Sequence, residues 1–138
     1  MKIILSLISL IFLISIPIAS ADIVGKVTYV VDGDTVDINQ TRIRFSLVDT
    51  PERGEAGYKE AKDFVKSLCL GKSAYVNLDD EQPRKSFGRV IGVITCDNRN
   101  VNEMLIINNL AKIRTEYCSV SEFYDESWAN PCQECKRK

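Results

Sequence analysis

Two stretches of this chain gather residues capable of chemistry: Val31-Asp32-Gly33-Asp34-Thr35-Val36 and Arg44-Phe45-Ser46-Leu47-Val48-Asp49-Thr50-Pro51-Glu52. Asp32, Asp34, Asp49 and Glu52 carry the oxygens that a hard cation such as Ca²⁺ takes several at a time, provided the strand ends bearing them meet. Taken singly, each piece has an ordinary explanation. Asp-Gly-Asp is a common turn between strands. Asp-Thr-Pro-Glu is an ordinary helix entry, because proline pre-sets its φ and acidic groups favour a helix start. Arg44 alone reads as a solvated residue on the polar face of its strand.

Composition narrows the chemistry further. The chain has 138 residues, 18 Lys+Arg against 19 Asp+Glu, five cysteines and no histidine. Without an imidazole there is no serine triad, Cys-His pair, histidine zinc site or histidine base. Catalysis must use carboxylates, Arg, Lys, Tyr, Ser or Cys, or a metal held by oxygen. The length suits one domain, and a hydrophobic content of 45% suits an ordinary folded core.

Residues 1–21 read as a secretory signal. Met1-Lys2 opens a charge-free apolar run from Ile3 to Ile18, shorter than a spanning helix needs, which ends in Ala19-Ser20-Ala21. Cleavage after Ala21 would leave residues 22–138 as one slightly acidic domain, exported to the medium or the cell envelope. Cys69, Cys96, Cys118, Cys132 and Cys135 all lie in that part, where disulfides are permitted, and their odd number leaves at least one over. Cys132 and Cys135 have the spacing of a zinc or redox pair, but zinc needs four ligands and only Cys118 is near.

Several elements must position the acidic and arginine residues. Ile23–Val31, Thr35–Ile38 and Arg42–Val48 read as an antiparallel meander, with Ile43, Phe45 and Leu47 on one face and Arg42, Arg44 and Ser46 on the other. Ala61, Phe64, Val65 and Leu68 have helical spacing, and Gly71 ends that helix. Ser73–Leu78 and Val90–Cys96 read as two more strands, joined by a polar loop carrying Arg84 and Lys85. A second helix starts near Asn100, capped with Glu103 three residues on, and ends at Asn108-Asn109. A last helix is expected over Ser119–Ala129, stopped by Asn130-Pro131. Five strands with a helix after the third fit an α+β, mainly β, OB barrel with about three helices. An antiparallel hairpin of the last two strands would bring Cys69 towards Cys96, the preferred bridge; Cys118 would then pair with Cys132 or Cys135.

In order and spacing these residues resemble the staphylococcal nuclease (thermonuclease) family, a five-stranded OB barrel with three helices. The likeness runs from Asp-Gly-Asp-Thr-Val through Arg44 and Leu47–Glu52 to Phe87-Gly88-Arg89, Val101-Asn102-Glu103 and Leu110-Ala111-Lys112. It implies that Asp34, Asp49 and the Thr50 carbonyl bind Ca²⁺, with Asp32 in the outer shell. It further implies that Glu52 acts on the attacking water as general base, and that Arg44 and Arg89 hold the scissile phosphate. The implied reaction is hydrolysis of DNA and RNA with little sequence preference, leaving 3′-phosphate ends. Binding would rest on phosphate contacts and base stacking, and would weaken with salt.

Some positions depart from that family. Arg53–Gly57 is shorter than the family's loop there, and Thr115 stands where a nucleotide-packing tyrosine is usual. Tyr117, two residues later, is a candidate for stacking or for the core, and Lys85 for charge beside the substrate. The slightly acidic balance also predicts weaker general affinity for polyanions. A monomer with no stable protein partner is expected. Two alternatives are a catalytically silent OB module that binds nucleic acid or protein, and a secreted disulfide-stabilised structural or adhesion protein. The complete set Asp34, Arg44, Asp49, Glu52 and Arg89 argues against both.

Overall fold

The computed structural model describes residues 22–82 and 87–132. The apolar leader, Arg84, Lys85 and Cys135 lie outside the described residues. Strand β1 (Ile23–Asp32) pairs antiparallel with β2 (Thr35–Ile38), and β2 pairs in turn with β3 (Thr41–Phe45), as the meander expected. After a turn comes the short β4 (Val48–Asp49). Strand β5 (Ser73–Leu78) adds to the other side of β1, and β6 (Val90–Cys96) pairs antiparallel with β5. A parallel contact between β6 and β3 closes the five-stranded ring. The fold is therefore an OB-type barrel of the α+β class.

Alternation explains which residues fill it. In β5, Ala74, Val76 and Leu78 point inward while Ser73, Tyr75 and Asn77 face solvent. They meet Val27, Val30, Val36, Ile38, Ile43, Phe45 and Ile94 in one apolar core. Helix α1 (Tyr58–Cys69) lays Ala61, Val65 and Leu68 on that core. It ends before Gly71, whose φ of 77° lets the chain turn back. Strand β7 (Arg99–Asn100) follows β6 through Asp97-Asn98, both left-handed, as a tight two-residue hairpin requires. Helix α2 (Val101–Ile107) has the expected cap, with the Asn100 side chain accepting from the Glu103 amide at 3.1 Å, and Asn109 at φ 56° follows its end.

Three local expectations are corrected. The third strand does not run on to Val48: it stops at Phe45, and the chain turns through Leu47, which is buried with a φ of 61°. The turn releases Val48 and Asp49 to pair with β8 (Lys112–Ile113) in a separate two-stranded ribbon. Arg44 does not lie on a solvated face, because the Asp34 turn and this redirected segment cover it to 7% exposure.

The third correction concerns the last helix. Residues 119–126 form turns, Ser127–Ala129 one 3-10 turn, and α-helical backbone begins only at residue 130, continuing to the end of the described residues. Ser121 Oγ and the Glu122 amide are drawn to Asp79, at 2.5 and 3.1 Å, so local side-chain bonds compete with helix formation. Pro131 opens the third helix rather than ending the segment before it, since a residue without N–H costs little in a first turn.

The preferred disulfide is present, and of the two partners left open for Cys118 the structure selects Cys132. Cys69–Cys96 joins the end of α1 to the end of β6, and Cys118–Cys132 ties the C-terminal segment. Cys132 is thereby committed to Cys118, which removes it from a zinc or redox pair with Cys135. No helix among the described residues is long and apolar enough to cross a membrane.

Candidate active site

The site begins with the two-residue turn between β1 and β2. Asp32 Oδ1 accepts from the Asp34 amide at 3.2 Å, an Asx turn that fixes where the Asp34 side chain leaves the barrel. Gly33 is required there by close approach: a Cβ would come within 2.8 Å of the Ala61 Cβ and of Thr50 Oγ1. The missing side chain lets α1 and the Thr50 segment close over the turn. Asp34, 4% exposed, then takes the Thr50 amide and hydroxyl on Oδ2, at 2.9 and 3.1 Å, and the Thr35 hydroxyl on Oδ1.

Arg44 is the hub. Its Nη2 lies 3.2 Å from both Asp34 Oδ2 and Asp49 Oδ1, while Nη1 donates to the Phe45 and Val48 carbonyls at 3.0 and 2.7 Å. The left-handed turn at Leu47 is what brings those two carbonyls to one nitrogen. Burial is the largest influence on Arg44 and lowers its pKa; Asp34 and Asp49 oppose this, while the Arg114 and Arg89 charges add to it. A guanidinium stays charged under such pressure. Asp49 differs from Asp34 in leaving about half its side chain exposed, 52%, so one carboxylate is embedded and the other faces solvent.

Support for the turn comes from residues whose role the sequence did not signal. Asp79 is buried and accepts from Ser46 Oγ and Gln82 Nε2, both at 2.7 Å. Asn102, fully buried, donates to the Ser46 carbonyl at 2.9 Å and accepts from the Ile94 amide at 3.1 Å. Ser46 is thus held from two sides, and with it the bend that satisfies Arg44. Asn102 stands in the Val101-Asn102-Glu103 motif of the family likeness, and its burial shows what the side chain holds.

The structure brings Asp34, Arg44, Asp49 and Thr50 into contact, with Asp32 behind them. Arg89 precedes β6, whose Ile91 stands beside Arg44 in the parallel pairing, so both arginines sit at the same end of the barrel. Arg89 lies 5.8 Å from the centroid of the Phe87 ring. The Glu52 side chain is exposed and makes no hydrogen bond or ion pair with this cluster among the described residues; its amide donates to Glu55 Oε2 at 2.7 Å, and its carbonyl accepts from the Glu55 amide at 2.9 Å. Glu55 therefore shapes the shortened loop. A cleft of about 560 Å³ opens beside this loop, between Asp49–Pro51 and Asn109–Lys112. Tyr117 is partly exposed rather than in the core, with the Arg114 guanidinium 4.4 Å from its ring centroid. Lys85 falls outside the described residues.

A model of the staphylococcal nuclease homologue family matches residues 42–137, which include Arg44, Asp49, Glu52 and Arg89. The chain belongs to the staphylococcal nuclease family. It is 33% identical over 111 residues to a protein of Escherichia coli named an uncharacterized endonuclease, covering 77% of this chain and 71% of that one. It is 32% identical over 90 residues to a micrococcal nuclease of Shigella flexneri, covering 62% and 49% respectively. With endonuclease YncB of Bacillus subtilis it shares 28% over 110 residues, covering 70% and 50%. This staphylococcal nuclease homologue is a hydrolase of phosphodiester bonds, and its substrate is nucleic acid.

Among the described residues no three acidic, His or Cys side chains gather into a ligand group. Asp34 and Asp49 both approach Arg44 Nη2, and carboxylate oxygens are the donors that a hard cation takes. Burial first, and then the neighbouring Asp34, raise the pKa of Asp32 from the usual 3.8 to about 6.

A carboxyl that holds its proton more tightly when folded stabilises the native state. That contribution is complete below about pH 3.8 and lost as pH rises through about 6. In chelator, wild-type unfolding free energy should therefore decline between pH 4 and 7 relative to Asp32→Asn, whose amide oxygen can still accept from the Asp34 amide. Parallel pH profiles for the two proteins in denaturant titrations would contradict the assignment.

Proposed function

We propose that this nuclease is an exported, calcium-dependent enzyme that cuts DNA and RNA with little sequence preference and leaves 3′-phosphate and 5′-hydroxyl ends. The observation that carries the reading is the buried Arg44 held between Asp34 and Asp49, beside Arg89. Asp34, Asp49 and the Thr50 carbonyl would hold Ca²⁺, with Asp32 behind them, and the ion would supply positive charge to the phosphate oxygens. Arg44 and Arg89 hold the same phosphate and neutralise the charge that grows on it as water adds. Arg44 is pre-oriented for this by the Phe45 and Val48 carbonyls, so little reorganisation accompanies the reaction. Glu52, exposed on its tight loop, accepts a proton from the attacking water; the bond from phosphorus to the 5′ oxygen breaks, and that oxygen leaves with a proton from solvent. The apolar leader and the two disulfides support export to an oxidising compartment. The enzyme works as a monomer without a stable protein partner.

Degradation of single-stranded DNA, duplex DNA and RNA by the oxidised chain from Asp22, in Ca²⁺ and in chelator, tests this reading. Cleavage should require Ca²⁺, yield 3′-phosphate ends and fall by about 10²–10⁴ in Glu52→Ala. Undiminished cleavage in chelator, or 5′-phosphate products, would reject it.

A further inference from the structure

Strand β8 crosses the front of the site. Lys112 lies opposite Asp49, Val48 lies opposite Ile113, and the Arg114 amide continues the ribbon by donating to the Leu47 carbonyl at 2.8 Å. Ile113 packs against the core. Lys112 and Arg114, on either side of it in the alternation, therefore project together away from the core and past Asp49. Lys112 faces the cleft. Arg114 faces the other way along the strand, towards Tyr117.

Arg114 is prepared for an anion in three respects. Its guanidinium carbon sits over the Tyr117 ring, 4.4 Å from the centroid, which seats the fork on a partly exposed aromatic surface. Glu116 Oε1 accepts from Nε and lies 3.0 Å from Nη2, so one edge of the fork is fixed and the remaining donors point elsewhere. Its charge acts unfavourably on Arg44 and favourably with Asp49, which places it in the electrostatic field of the site. The fold does not need this arrangement, since the ribbon is held by main-chain bonds. Burial works against the charge of Arg114, but Glu116, Tyr117 and Asp49 outweigh it and raise its pKa, so the fork keeps its charge beside the site where a polyanion would pass.

We infer that Arg114, presented on the ring of Tyr117, is a substrate-binding residue that holds the phosphate next to the scissile one on a single strand. The inference rests on the nuclease site proposed above and extends it. It also reassigns Tyr117. One face of that ring is occupied by a cation, so its part is to support Arg114, and a nucleobase at this place meets the guanidinium plane, on which bases stack well. Beside Thr115, which offers no ring, the Arg114–Tyr117 pair provides the flat surface. Lys112, at the cleft, and Arg114, turned towards Tyr117, offer two separate cationic points along this edge of the site.

The test measures binding of a fluorescent single-stranded oligothymidylate to the full oxidised chain in Ca²⁺. A Glu52→Ala background keeps the probe from being consumed. Adding Arg114→Gln should weaken binding about tenfold and reduce the slope of log affinity against log salt by roughly 0.7, the value of one single-strand phosphate contact. Arg114→Lys should keep the slope and lose part of the affinity. Tyr117→Leu should lose affinity with the slope unchanged. Arg42→Gln, which removes an exposed charge paired with Asp37 on β3, should change neither.

If Arg114→Gln leaves the slope unchanged, or matches Arg42→Gln in affinity, the Arg114–Glu116 pair is only a surface ion pair and the inference is overturned. Cleavage kinetics in the Glu52 wild-type background separate this from the parent reading. Arg114→Gln should raise KM for the oligonucleotide with little change in kcat, and should leave cleavage of a dinucleoside monophosphate, which lacks the flanking phosphate, unaltered. Loss on both substrates alike would overturn the assignment of the flanking phosphate. A wild-type chain that binds the probe through Arg114 yet cuts neither substrate would sink the catalytic reading and leave the binding residue standing.

Discussion

Arg44→Ala should lower turnover of single-stranded DNA by at least about a thousandfold and destabilise the metal-free protein by about 3 kcal/mol. Two separate effects follow from one side chain. As a donor, Arg44 is pre-set by the Phe45 and Val48 carbonyls to hold a phosphate oxygen, and no neighbour can copy a planar fork fixed at that place. As a charge, it compensates Asp34, which is 4% exposed and would otherwise be an embedded carboxylate beside Asp32. A cation bound by Asp34 and Asp49 can replace the second function but not the first. Melting of the variant in chelator and in saturating Ca²⁺, together with kcat at saturating ion, distinguishes them: stability should return with the ion, and activity should not. Full activity in a folded Arg44→Ala protein would remove the residue from the reaction, and stability that ignores Ca²⁺ would remove Asp34 and Asp49 from the ligand set.

The second large effect concerns the Cys69–Cys96 bridge. Replacing both cysteines by alanine should cost about 3 to 4 kcal/mol, because the bond closes a loop with a sequence separation of 27 residues and both sulfurs lie in the apolar core. It pins the last turn of α1 to the far end of β6, opposite the β5 residue Ala74. Val90, beside Arg89, is at the other end of β6, about 20 Å away along the strand. Activity of the folded variant at 25 °C should accordingly stay within about twofold of wild type while its denaturation midpoint falls sharply. A midpoint unchanged within error would mean that the bridge is not formed in the working protein. A large loss of kcat with stability retained would mean that β6 transmits strain to the arginine end.

Much of this protein was legible from residue types and spacing. Branched residues marked the first barrel strand, alternation marked the next two, strand-like runs marked Ser73–Leu78 and Val90–Cys96, and the helical spacing of Ala61, Phe64, Val65 and Leu68 marked α1. The Asn100 cap, the Asn109 left-handed end and the hairpin logic that brought Cys69 to Cys96 also held. These are local signals, set by rotamer geometry and backbone sterics, and they survive packing when the core agrees with them. The failures have a common cause. Arg42 to Val48 reads as one strand because alternation cannot reveal a leucine at φ 61°; that turn exists because Ser46 is pulled inward by Asp79 and Asn102 while Val48 and Asp49 find distant partners, Ile113 and Lys112, in β8. Ser119 to Ala129 has an acceptable cap and helical composition, but Asp79 takes the hydroxyl and amide that would have begun the helix.

By itself the sequence excluded histidine chemistry and left carboxylates, arginine or an oxygen-held metal to act, and the resemblance carried by its motifs pointed that set at a phosphate. It also determined the barrel strands, the family and the cysteines available for bridging. The tertiary structure alone decided that Arg44 is buried and shared between Asp34 and Asp49, that Asn102 and Asp79 hold the bend which orients it, and that Arg114 lies against Tyr117 at the edge of the site. The reason is physical. Residue type and periodicity report short-range preferences, whereas the burial of a charge, and the partner that makes that burial tolerable, depend on which distant segments meet, and only the closed barrel specifies that.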